Sequence, residues 1–429
     1  MTFNPDFATV EADQFLFNLS LDELQYPEKR PFFTEGQDRF ETPIQLLYTR
    51  RIGLGDNEVI GGAKVHGNTG QYSFGVLEAL TGDGLDPENN YTAFRLRRNL
   101  LTSSSVGFLG VSKDNVSSGY DGVNRAAGVD LNLQLNSASR LTGFAAASER
   151  EGEGGEGTAF RLDYAFNDAV FSQRDNVTVG VTLDAVAEDF DISEIGYIGR
   201  TSLDRRGGEL DLGYDYWIKQ KGINQVSADG GYWYYSDFSG SRKVQDGTRG
   251  RFSFQTIGLI QPGIILENSM IRVPGTGVVY DNTRREVSID FGPYPRFMAD
   301  ISYRTGDNYG SEISYVESNI KFRPSVRMTV STSYAHLERD PFEPTDPSST
   351  NDIVNLGMTY LFTPDLYWRI LAQSTTEDDL ALVNSLVRYE FRPGSVFFLS
   401  YKETRDDSLD DFTATDRQLI AKVSYYFHR

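Results

Sequence analysis

The chain has 429 residues and no cysteine. That excludes disulfides and thiolate-bound metals, but it does not locate the protein. No apolar run approaches the roughly 18 residues that a membrane helix requires. Positive charge is scarce: 41 Lys and Arg stand against 61 Asp and Glu, for a formal net charge of -20. A nucleic-acid binder needs a basic face, so no nucleic-acid partner is expected. Histidine is nearly absent. His66, His336 and His428 are far apart, and none has a metal-site spacing such as H-E-x-x-H. No secretory signal is visible at Met1, so the chain reads as a mature or recombinant form, or as a piece of a longer precursor.

What is present is alternation. Val129, Leu131, Leu133 and Leu135 alternate with Asp130, Asn132, Gln134 and Asn136. Strands with one aliphatic and one polar face suit a boundary between lipid and water. The pattern recurs at Phe160–Phe166, Val177–Leu183, Leu210–Tyr216, Val326–Val330, Val354–Phe362 and Leu419–Phe427. Several apolar faces end in Tyr or Phe, where an interfacial aromatic girdle would lie. The mean hydropathy of -0.41 alone would suggest a soluble protein. A transmembrane barrel is polar on average and escapes that test.

Connections alternate as well. Short turns fall at 136–139, 261–263, 292–295, 323–325, 363–365 and 392–395. Between them lie longer, mostly acidic stretches at 81–90, 114–123, 149–157, 188–206, 237–247, 273–283, 338–351 and 406–415. Short periplasmic turns and long extracellular loops are the mark of an outer-membrane barrel. The expected fold is therefore all-β: a transmembrane antiparallel β-barrel of about 22 strands counted from Pro43, or about 20 if residues 169–176 are misread. The expected location is the bacterial outer membrane, as an integral protein in contact with lipid and lipopolysaccharide. Phe427, followed by His428 and Arg429, stands where a terminal aromatic assembly signal is expected.

The first 40 residues break the pattern, with neither strand alternation nor a helical stripe. They interleave Asp6, Glu11, Asp13, Glu28, Lys29, Arg30 and Glu35 with Phe3, Phe7, Phe15, Phe17, Phe32 and Phe33, and Pro5, Pro27 and Pro31 fix the backbone direction. A barrel of about 22 strands cannot fill its own lumen. Residues 1–40 are therefore read as a segment that plugs the lumen or covers its periplasmic mouth, and 41–429 as the barrel. Asp6, Glu11, Asp13, Glu28, Lys29 and Arg30, with Arg200 from the loop at 188–206, are the candidates for ion pairs with the lumen wall. That loop is the one expected to fold inward.

The run Phe3-Asn4-Pro5-Asp6-Phe7, Val10-Glu11-Ala12-Asp13, Asn18-Leu19, Pro27-Glu28-Lys29-Arg30-Pro31-Phe32-Phe33 and Glu35-Gly36 resembles the opening of the DUF5916 family of unknown function, common in Bacteroidetes and related bacteria. Glu194-Ile195-Gly196-Tyr197-Ile198-Gly199-Arg200-Thr201 resembles that family's second signature, so the similarity reads as spanning essentially the whole chain. The resemblance implies an outer-membrane barrel, often preceded by a carbohydrate-binding-like β-sandwich that would end where this chain begins. It carries no catalytic residues.

Chemistry is sparse elsewhere. Glu377, Asp378 and Asp379 are weak candidates for a loop-bound divalent cation, and no other cofactor is expected. Tyr232-Trp233-Tyr234-Tyr235 must place alternate rings on opposite faces, so at most half can face the lumen. No histidine has an assignable catalytic partner, so a hydrolase at the barrel rim is the least favoured reading and no enzyme is expected. The favoured reading is a transport or translocation channel gated by the N-terminal segment or by a plug, periplasmic or surface protein partner. The alternative is a closed barrel that anchors a binding module. An energised import receptor needs a plug far larger than this segment, unless a separate chain supplies it.

Overall fold

The structure, a computed structural model, describes residues 2–3, 12–54, 58–83, 86–116, 122–151, 155–220, 222–343, 346–406 and 413–425. It is one antiparallel sheet in which each strand pairs with its neighbours in sequence. A two-residue strand, β1 (Thr2–Phe3), pairs with β2 (Glu58–Thr69). The meander continues through β3 (Tyr72–Asp83), β4 (Asp86–Leu101), β5 (Ser104–Asn115), β6 (Asn124–Gln134), β7 (Ser139–Arg150), β8 (Gly155–Asp168) and β9 (Asp175–Val186). After an 18-residue crossing at 187–204 come β10 (Arg205–Tyr216), β11 (Ile223–Ser236), β12 (Lys243–Thr256), β13 (Ile260–Arg272), β14 (Val279–Phe291), β15 (Phe297–Asn308) and β16 (Ser311–Ser325). The last strands are β17 (Met328–Pro341), β18 (Ser349–Thr363), β19 (Leu366–Thr375), β20 (Leu380–Arg392), β21 (Ser395–Asp406) and β22 (Thr413–Ser424).

The 21 long strands correct the expected count in one place. The tally assumed a strand from Pro43, but residues 42–54 are irregular with one 3-10 turn, and the first long strand starts at Glu58. In consequence β2 enters from the long-loop end, and β22 leaves at the short-turn end. Three connections also move, one of them the turn expected at 323–325, which lies at 326–327 between β16 and β17. Strands β3 and β4 run on through the acidic stretch expected as a loop at 81–90, leaving only residues 84–85 between them. The turn expected at 261–263 lies at 257–259, where Leu259 takes a positive φ of 57°.

The faces follow the alternation. Val129 of β6 is exposed on the outside, and Asp130 is buried on the inside. Tyr232 and Tyr234 of β11 face out, whereas Trp233 and Tyr235 are buried on the inner face. Along the height of β2–β9 the apolar face changes sides. Near the short-turn end the apolar residues, such as Tyr72, Val76, Leu96 and Val129, face out. Nearer the long loops the inner face becomes apolar: Leu77, Ala93, Val111 and Ala126 form one row across β3–β6, and Ala146, Ala159 and Val186 form another across β7–β9. The lower half is thus built for lipid outside, and the upper half for a protein core inside.

The two faces of β6 should respond differently to charge. Leu131→Arg is expected to destabilise the folded barrel by about 2–4 kcal/mol, and Asn132→Arg to be nearly neutral. Urea unfolding in bilayers, read by the heat-dependent gel shift of folded barrels, measures both; equal effects would reverse the assignment of faces.

Candidate functional site

Residues 12–54 lie against the inner face and touch both flanks of the sheet. Four of their apolar side chains, Phe33, Phe40, Leu46 and Ile52, are buried in the core lined by β2–β9. The ring of Phe40 lies on Gly75 of β3, where a Cβ would come within 2.7 Å of its Cζ, so only glycine leaves room. On the other flank Phe17 is buried among Ile313, Leu337 and Ile353 of β16–β18. A segment that reaches β2 and β18 from one face shows that the sheet curls around it.

Irregular backbone inside a barrel must find hydrogen-bond partners away from bulk water. The wall supplies them from side chains. Lys64 of β2 donates to the carbonyls of Phe32 and Glu35. Arg95 of β4 donates to the Arg39 carbonyl at 3.0 Å, while its guanidinium is held by Asp130 of β6. On the far flank Gln373 accepts from Phe15 N at 3.1 Å and donates to the Asp13 carbonyl at 2.8 Å. Asn355 and Asn308 each reach a segment carbonyl, of Phe15 and Leu19, at 3.4 Å.

The charged residues singled out in the sequence pair differently from expectation. Glu28 and Arg30 pair with each other at 2.7 Å, with side chains only 1% and 8% exposed. Arg30 also donates to the carbonyls of Thr49 and Ile52. Asp13 holds Lys29 at 3.0 Å and Arg50 at 2.6 Å. These ion pairs form within the segment and not with the wall, because the segment folds back at 27–30 and brings its own residues 49–52 alongside. Arg200 meets the Pro274 carbonyl at 3.5 Å and, among the described residues, no lumen carboxylate; Arg205 of β10 makes the wall pair, with Asp184 at 2.8 Å. Asp6, Glu11 and Phe427 lie outside the described residues. Glu377, Asp378 and Asp379 form the turn between β19 and β20, and no group of three metal-ligating side chains gathers among the described residues.

The crossing at 187–204 folds inward and buries Phe190, Ile192 and Ile195 in the same core as Phe33 and Leu46. It binds the segment directly. Tyr197 N donates to the Gln45 carbonyl at 2.9 Å, and Tyr48 N to that of Ile195 at 2.8 Å. Thr201 donates to both carboxylate oxygens of Asp22, each at 3.0 Å. Glu194 is tied to the wall by Lys113 and Arg150, and Asp191 by Arg150 at 2.6 Å. The two stretches that read as signatures in the sequence are thus one assembly. Sequence reading missed Arg95–Asp130, Lys113 and Arg150, because a charge on the polar face of a strand looks the same whether it meets water or a folded segment.

Burial would raise the Glu28 carboxyl, but hydrogen bonds and charge from Arg30, with help from Thr49, outweigh it and hold it below its ordinary 4.5. Its contribution to stability is therefore complete above about pH 4.5 and lost as pH falls through the lowered value.

Residues 1–68 match the family described as "Domain of unknown function (DUF5916)", the family the opening run resembles. The match spans the segment and β2, while the signature at 194–201 lies beyond it. No curated protein matches the sequence. Among solved structures, the ferric enterobactin receptor PfeA aligns with a TM-score of 0.50 at 9% identity, covering 85% of this chain and 72% of that one. The siderophore receptor PirA from Pseudomonas aeruginosa aligns at 0.48 and 11%, covering 81% and 69%. At such identity the likeness to PfeA is one of fold: that of the integral β-barrels of the bacterial outer membrane. That fold and the apolar lower exterior are those of an outer-membrane protein.

Two outcomes follow for the segment. Arg30→Met leaves Glu28 buried without its partner and should cost about 3–5 kcal/mol of docking, exposing residues 12–54 to protease; adding Glu28→Gln should recover part of the loss. In the native chain, protease sensitivity of the segment should stay flat from about pH 7 to about pH 5 and rise as pH falls below 4.5 through the lowered Glu28 value.

Proposed function

We propose that the chain is an outer-membrane channel whose passage is controlled by the segment 12–54. The observation that carries the reading is the way this segment is held. It lies across the inner face as a separate element, irregular apart from short helical turns such as Pro31–Thr34 and Gln37–Phe40, attached by wall side chains to segment carbonyls and to the Phe15 amide, with no strand pairing to the wall among its described residues. An element attached in this way can leave without breaking the sheet. The wall of β10–β12 stays wet: on this inner face the side chains of Asp211, Asp229 and Arg251 are 44%, 37% and 49% exposed.

A closed anchor is the second reading, favoured by the apolar core that seats Phe33, Phe40, Leu46 and Ile52 on β2–β9. Single-channel conductance in a planar bilayer separates the two. The complete chain is expected to be silent or weakly conducting, and a chain lacking residues 1–54 to conduct steadily. Arg30→Met, which keeps the segment but loosens it, should flicker between these levels. Silence in all three would favour the anchor; equal steady conductance in all three would remove the segment from any gating role.

A further inference from the structure

A cavity of about 460 Å³ lies between the segment and the wall of β16–β20. Its volume is that of a small-molecule site. In a chain of net charge -20, its lining is basic. Lys321 from β16 and Arg369 from β19 come from the wall, and Lys29 comes from the segment. Asp13 is the acidic group there and is already engaged by Lys29 and Arg50.

The sheet register builds the wall side. Lys321 pairs with Ser331, and Ser331 with Gly357, which places them in one row across β16–β18. Thr329 pairs with Thr359 and Thr359 with Arg369, making a second row beside it across β17–β19. All five side chains in these rows carry hydroxyl groups or positive charge. Gly357 keeps the floor hollow, since a Cβ there would come within 2.5 Å of Ser331 Oγ. The opposite side mixes the apolar surfaces of Leu16, Tyr26 and Pro27 with Asp13, Gln14 and Lys29, all from the segment.

We propose that this cavity binds a hydroxylated organic carboxylate, of which a sugar acid is the simplest form. The carboxylate would lie between Lys321 and Arg369, whose guanidinium can take it in a two-point fork. Ligand hydroxyls would meet Ser331, Thr329 and Thr359, and the apolar face of the ligand would rest on Tyr26 and Leu16. Because Lys29 and Tyr26 belong to the segment and Lys321 and Arg369 to the wall, the ligand would bridge the two. The site does not depend on the channel reading, since binding needs no current.

Isothermal titration of the complete chain in detergent with glucuronate, and with glucose as the uncharged control, tests it. Glucuronate should bind and glucose should not. Lys321→Gln and Arg369→Gln should each weaken glucuronate at least about tenfold, the loss of one charged hydrogen bond. Gly357→Val should abolish binding by filling the floor, with the heat-dependent gel shift showing that each variant is folded. Equal binding of glucose, no binding of glucuronate, or folded Lys321 and Arg369 variants that bind glucuronate unchanged would each overturn the assignment. Conductance of the same preparations reports on the channel separately, so the two readings can fail independently.

Discussion

Backbone that is neither helix nor strand cannot lie inside a barrel unless something answers its carbonyls and amides. Much of the inner wall of this protein can be understood from that constraint. Lys64 and Arg95 on one flank of the segment, and Gln373, Asn355 and Asn308 on the other, each meet a main-chain group. Such contacts specify where the segment lies while asking little of its side-chain identities. The segment's own charges are then free to fold it on itself, through Glu28–Arg30 and Asp13 with Lys29 and Arg50.

The same constraint explains the change of apolar face along β2–β9. Where lipid surrounds the sheet, the outside must be apolar and the inside can be wet. Higher up, where the segment and the crossing at 187–204 fill the interior, the inside becomes an ordinary core around Leu46, Ile52, Phe190 and Ile195. Ion pairs sit beneath that core and at its rim: the buried Arg95–Asp130 below, and the partly exposed Lys113 and Arg150 with Glu194 above. The lower edge of the core is thereby fixed in place, since a buried charge such as Arg95 separated from its partner is strongly unfavourable.

Much of the fold was legible because period-2 alternation is a physical requirement wherever one face meets lipid. Val129 against Asp130, and Tyr232 and Tyr234 against Trp233 and Tyr235, fell on the faces that alternation assigns. The miscounted strand at 43–54 shows the limit of the method. Ile44, Leu46, Tyr48 and Ile52 look like an apolar strand face, but they are apolar because they enter a core. The ion pairs were misassigned for a related reason: residue type gives the sign of a partner but not its address. The fold-back that places Arg50 beside Asp13 depends on contacts thirty-seven residues apart in sequence. The crossing at 187–204 stood out by its length, its signature at 194–201 and its arginines, whereas the residues that hold it inside are the apolar Phe190, Ile192 and Ile195.

The two attachments of the segment are unequal, and the inequality sets how it could move. On the β2–β9 side it is continuous with β2, shares a core with the crossing and contributes four buried apolar side chains. On the β15–β19 side it has one buried phenylalanine, Phe17, and a few amide bonds to Asn308, Asn355 and Gln373. Burying one such side chain is worth about 1.5–3 kcal/mol, and each neutral hydrogen bond about 0.5–1.5 kcal/mol net. That flank can therefore open at modest cost while the other stays seated. The basic cavity lies on the weaker flank, between Lys29 and the pair Lys321 and Arg369. A ligand that bridged them would act where the least free energy decides the position of the segment, so even millimolar affinity would shift the balance between docked and open states.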